Sequence, residues 1–142
     1  MQNAPVFKKR LLLLVLMLII FVFTGWQLSK LSPLEQSIIK KVNISNRINL
    51  YITKASAGAT TDFSYRFYLY DASRNDESFK ENLTDNLQPF LITSDGNAFK
   101  RVQDKAVYLR VKGEIFAFYS SPGIRIDDVL YSVPVFLNAS PF

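Results

Sequence analysis

Apolar residues are spaced in two ways along the first third of the chain. From Leu11 to Trp26, LLLLVLMLIIFVFTGW, they follow one another without a charge, and Lys8, Lys9 and Arg10 stand directly in front. A run that is apolar on every side predicts a helix with no polar face to show to water. Its sixteen residues rise about 24 Å, against a hydrocarbon core of about 30 Å. Gln27 to Leu31, with Lys30 snorkelling, extends the span to residues 11–31, and Trp26 falls where an interfacial anchor sits. The reading is a single transmembrane anchor. The basic cluster keeps residues 1–10 in the cytoplasm, although Lys30, Lys40 and Lys41 weaken the asymmetry. A cleaved signal peptide is the competitor. Cutting after Gly25 or Thr24 puts Phe23 or Val22 where a small residue is needed, so an uncleaved anchor is preferred.

Ser32-Pro33-Leu34-Glu35 has the form of a capped helix start, and residues 32–41 are expected to be a short helix or a linker. From Val42 the period becomes two. Val42, Ile44, Ile48, Leu50 and Ile52 alternate with polar positions, which predicts one long strand with one face buried and Asn49, Tyr51 and Thr53 on the other. A break at Ala55–Thr61 leads to a strand over Phe63–Tyr70. That strand has Phe63, Tyr65, Phe67 and Leu69 on one side and Tyr68 and Tyr70 on the other, and it is expected to be covered on both. Phe79, Leu83 and Leu87 recur every four residues, predicting an amphipathic helix from about Asp76 to Leu87.

Further strands are expected at Phe90–Thr93, Ala98–Val102, Ala106–Val111 and Ile115–Tyr119, and a last strand or pair over Ile124–Leu137, interrupted near Pro134. Asp95-Gly96 reads as a hairpin turn between the first two, and Lys112-Gly113 as a turn into Ile115. Connections of hairpin length imply a mainly β, mostly antiparallel domain over residues 42–142. It is a small sandwich or partly closed barrel with one or two short helices.

Composition narrows the chemistry. The chain has 142 residues and a net charge of +5. From Lys30 onward, fourteen Lys and Arg face twelve Asp and Glu, so most of the excess belongs to the segment in front of the apolar run. The charges are interspersed, which argues against a nucleic-acid partner. There is no cysteine and no histidine. Thiolate nucleophiles, the usual zinc ligand sets and the commonest general base are all missing, and the chain reads as a non-enzyme without metal or cofactor.

The remaining motifs are weak. Asp71–Glu77 begins like a calcium loop, but Asp76 stands where glycine is required and Asn82 where a bidentate Glu is required. Asp127-Asp128 reads as a loop or edge-strand pair, since neighbours in a strand point to opposite faces. Tyr51, Tyr65, Tyr68 and Tyr70 offer an aromatic platform, or pack with their hydroxyls at the rim. Asn43, Asn82 and Asn138 begin glycosylation-type triplets in a chain rich in Asn, Ser and Thr.

Ala57-Gly58-Ala59-Thr60-Thr61, then Asp62 and FSYRFYLYD, resembles a segment of small uncharacterised bacterial envelope proteins. In those a Gly-Ala-Thr-Thr turn joins two strands behind an N-terminal signal, anchor or lipoprotein site. The resemblance covers about Asn49 to Asp71, and the lipoprotein cysteine is absent. It implies a periplasmic domain of unknown function, suspected in some members of toxin immunity.

The expectation is therefore a membrane-anchored periplasmic binding or inhibitory protein, contacting the bilayer through residues 11–31 and a protein partner through its outer domain. The candidate partner-binding residues are Gly58, Thr60, Thr61, Tyr68, Tyr70, Asp71, Arg74, Asp76 and Glu77. The alternative is a structural accessory subunit of an inner-membrane complex. That role would rest on the anchor, which lacks a small-residue packing motif.

Overall fold

The computed structural model describes residues 4–30, 34–56, 62–83 and 87–141. The chain divides into two units, Met1–Pro33 and Leu34–Phe142. In the first, α1 (Ala4–Lys30) is a single 27-residue helix. Its large apolar side chains from Val6 to Trp26 are 49% to 80% exposed, so the unit has no core of its own. Among the described residues no helix is long and apolar enough to cross a membrane, so the expected span over residues 11–31 finds no support in α1.

The second unit is mainly β. Its elements are β1 (Glu35–Asn43), β2 (Ile48–Ser56), β3 (Ser64–Asp71), α2 (Asp76–Asn82), β4 (Leu91–Thr93), β5 (Phe99–Gln103), β6 (Ala106–Lys112), β7 (Ile115–Phe118), β8 (Gly123–Ile126), β9 (Val129–Ser132) and β10 (Val135–Ser140). They form a five-stranded antiparallel sheet ordered β1-β2-β3-β4-β7, a three-stranded sheet ordered β10-β6-β5, and the β8-β9 hairpin. No barrel closes among the described residues. One core holds Leu50 and Ile52 of β2, Phe67 and Leu69 of β3 and Leu91 of β4. It also takes Val107, Leu109 and Val111 from β6 and Val135 from β10, which makes the unit sandwich-like.

Several expectations are corrected. Residues 32–41 are not a helix or a linker from Glu35 onward but strand β1, while Ser32 and Pro33 lie outside the described residues. Gln36, Ile38 and Val42 turn inward while Glu35, Ser37 and Lys41 stay exposed, and pairing with β2 outweighs a local cap on a helix of barely two turns. The long strand from Val42 is two strands folded back at Ile44–Arg47. The Ile44 and Ser45 N–H groups both donate to the Ile48 carbonyl. Asn46, a polar residue at a position in phase with Val42, Ile44 and Ile48, is exposed in that turn.

β2 is covered on both faces. Asn49, Tyr51 and Thr53, read as the open side, are buried, because α2 and the β1 side chains lie over them. The expectation for β3 holds in its middle: Phe67 and Leu69 enter the main core with Tyr65 packed against it, and Tyr68 and Tyr70 join Tyr51 and Phe79 in a second cluster. Phe63, however, lies before the strand and is exposed.

Two expected turns are crossings between sheets. β4 pairs with β3 and β7, and β5 with β6, so Asp95-Gly96 and Lys112-Gly113 each carry the chain from one sheet to the other. The last expected strand or pair is three strands. β10 lies parallel to β6, Val135 opposite Val107 through Ser140 opposite Lys112.

Candidate functional site

The expected partner-binding residues separate once the fold is formed. Gly58, Thr60 and Thr61 lie outside the described residues, although the strands they join, β2 and β3, pair from Ile48–Asp71 to Ala55–Ser64. Tyr68 and Tyr70 are buried and do not form a surface platform. The Phe79 ring stacks on Tyr51 with centroids 4.0 Å apart and meets Tyr68 and Tyr70 edge-on at 5.6 and 5.3 Å. Each tyrosine sends its hydroxyl to the rim of this cluster. Tyr68 donates to Gln36 Oε1 at 2.9 Å, and Tyr70 Oη lies 2.9 Å from Ser78 Oγ and accepts from Asn82 Nδ2.

Asp71, Arg74, Asp76 and Glu77 remain at or near the surface, on the turn and first helical residues between β3 and α2. The turn is self-bonded. Asp71 Oδ1 accepts from the Ser73 amide (2.9 Å) and hydroxyl (2.7 Å), and Arg74 Nε lies 3.9 Å from Asp71 Oδ2. Both bonds to Asp71 Oδ1 come from within its own turn. Partial burial pushes the Asp71 pKa up. The Ser73 bonds and the Arg74 and Arg47 guanidiniums outweigh it and leave the group below the usual carboxylate value.

Asn75 caps α2, its side chain accepting from the Ser78 amide at 2.9 Å. Asp76 and Glu77 then place negative charge at the helix N-terminus, where the backbone dipoles favour it. Asp76 is a structural tie. Its Oδ1 accepts from Lys41 Nζ on β1 at 2.8 Å and from Tyr51 Oη on β2 at 2.7 Å. The Lys41 bond and then the Tyr51 bond lower its pKa, while the same bond raises that of Lys41. Burial is the main reason the Tyr51 phenol titrates higher than usual.

Sequence reasoning missed the residues that the fold brings beside this turn. Asp71 and Arg74 share a cleft of about 270 Å³ with Arg125 and Asp127 of the β8-β9 hairpin. Arg47, from the β1-β2 turn, donates to Asp127 Oδ2 at 3.1 Å. Three loops distant in sequence therefore meet in a mixed field of arginines and aspartates. A larger cleft of about 450 Å³ is lined by the β1-β2 turn, Arg47 included, with Lys105 and Tyr131. Among the described residues no group of three metal-ligating side chains comes together.

Asp127-Asp128, the adjacent carboxylates, occupy the two central positions of the β8-β9 turn with φ of 50° and 62°. Both values belong to a type I′ hairpin. No protein-family model, no curated protein and no solved structure matches this chain.

Proposed function

We propose that the chain is a membrane-anchored extracytoplasmic binding protein, with α1 in the inner membrane and the β unit in the periplasm, where it engages a protein partner. The observation that carries this reading is the exposure of every large apolar side chain of α1 from Val6 to Trp26. Water does not tolerate so much apolar surface on a free helix, and lipid covers it without a partner protein. The stretch from Leu11 is extended by Gln27, Leu28 and Ser29, all uncharged and helical, to about 28 Å of rise. Lys30 at one end and Lys8, Lys9 and Arg10 at the other frame it, and the denser cluster favours a cytoplasmic N-terminus.

The binding surface of this reading is the polar confluence around Arg74. Arginine beside aspartates on three converging loops suits the rim and anchor positions of a protein interface. Inhibition of an incoming toxin is one version of this role, and it rests on the local resemblance of residues 49–71 to envelope proteins. No catalytic role is assigned to the confluence.

A reporter fused after Phe142 is expected to be active only outside the cytoplasm, and the chain is expected to stay with membranes through alkaline carbonate extraction. A cytoplasmically active fusion, or release by carbonate, overturns the anchor. For the binding surface, Arg74→Glu in the full chain is expected to abolish pull-down of a partner that wild type retains. Unchanged retention moves the interface elsewhere.

A further inference from the structure

The outer strands of the two sheets differ in how they resist pairing. β1 carries Lys40 and Lys41 and a bulge between Ile38 and Lys40. β7 has four residues and an irregular register with β4. β5 carries Lys100 and Arg101 beside a bulge of its own. Charges, bulges and shortness are the usual means by which an edge is kept from joining another chain. β10 has none of them. Its sequence, VFLNAS, contains no charge and no proline, and it keeps unbroken register with β6 over six residues.

The direction of its backbone groups follows from two bonds. The Pro134 carbonyl accepts from the Val107 amide, so even-numbered residues of this segment face β6. The Val135 amide donates the other way, to the Ser120 carbonyl at 3.2 Å. By alternation, Leu137 and Ala139 aim their N–H and C=O groups at the outer edge. Among the described residues no strand pairs there. Beside that edge Phe136 is 54% exposed, its ring stacked on Tyr108 at 5.0 Å.

We propose that this edge pairs with the same edge of a second copy of the chain, β10 against β10 antiparallel about a two-fold axis. A second copy fits for two reasons. An uncharged strand sets no like charge opposite itself, whereas self-pairing of β1 or β5 would bring lysines together. A two-fold contact closes on itself and stops at a dimer. The pairing, centred on Asn138, sets each Phe136 opposite Ser140 of the other copy, with both rings on one face of the joined sheet. The two three-stranded sheets become one of six strands, with Leu137 to Ala139 at its centre. This holds wherever the chain resides and does not depend on the membrane reading.

The test is sedimentation equilibrium of the full chain in density-matched detergent. Wild type is expected to behave as a dimer across the micromolar range. Ala139→Pro removes one outward donor and no bond to β6, and Asn138→Lys charges the strand. Each is expected to raise the dissociation constant by at least about tenfold with an unchanged circular dichroism spectrum. The chain has no cysteine, so Asn138→Cys supplies a single thiol, expected to cross-link copies under mild oxidation. Should Ala139→Pro unfold the chain, the lysine and cysteine variants decide. A monomer at all concentrations overturns the proposal. So does a dimer that neither Asn138 variant affects, or a mass that matches one chain with a foreign peptide on the edge.

Discussion

Asp76 shows how one side chain couples three elements, and its titration makes that coupling measurable. Its folded pKa lies below the ordinary 3.8, first because of the Lys41 bond and then because of the Tyr51 bond. The unfolded chain then binds the proton more readily, so stability rises with pH between the two values. The contribution is complete above the ordinary carboxylate range and is lost as pH falls through the depressed folded value. Lys41 has the opposite sign. Its raised pKa gives a contribution present below 10.5 and lost as pH climbs through the folded value. Asp76→Asn is expected to flatten the acid limb of stability against pH, measured as urea midpoints from about pH 3 to about pH 7. A limb as steep as that of wild type would assign the acid sensitivity to other carboxylates. Asp128 tests backbone conformation in the same way. At φ of 62° an ordinary side chain is strained, and Asp128→Gly is expected to raise stability by about 0.5–1 kcal/mol in denaturant unfolding. The adjacency of these two aspartates was plain in the sequence, but their turn was not. Type I′ loops are recognised by Asn-Gly or Asp-Gly, and Asp-Asp carries no such mark.

Among the elements, α2 was the most legible and β1 the least. Phe79, Leu83 and Leu87 marked it because their spacing matches a helical period, and all three meet the tyrosine cluster. The helix itself ends at Asn82, short of the expected Leu87, and residues 84–86 lie outside the described residues. Phe79→Ala is expected to cost about 3–5 kcal/mol, since a fully buried ring stacked on Tyr51 is lost. An effect below 1 kcal/mol would mean the second cluster contributes little to the fold. β1 was hidden by Ser32-Pro33-Leu34-Glu35, whose form is that of a helix cap. Pairing with β2, a non-local interaction, decides the outcome there. Asp95-Gly96 misled for a different reason. A Cβ on Gly96 would sit 2.7 Å from the Tyr65 ring, so the glycine answers to close approach and not to a hairpin. Gly113, at φ of 134°, does meet a backbone demand, but at a crossing between sheets.

At the scale of the whole unit, alternation predicted the inward face of β2 and β3 but not what covers the outward one. Leu50→Asp is expected to abolish cooperative unfolding, because it places an unpaired carboxylate between both sheets. A folded Leu50→Asp chain, judged by near-ultraviolet dichroism, would refute the core assignment. The candidate surface was half legible: the Asp71–Glu77 turn was visible as a polar stretch, whereas Arg47, Arg125 and Asp127 reach it only through pairing that spans most of the chain. The same long reach governs β10. It lies on β6 in parallel, so the three-stranded sheet cannot be finished until residues more than twenty positions later have been made. During synthesis β1 to β3 have their partners in hand early, while β6 waits with one side unpaired. A ribosome stalling before Val135 would release a chain whose first sheet is assembled and whose second still presents a bare strand. Such a product exposes the unpaired side of β6, the kind of strand edge on which chaperones and proteases act.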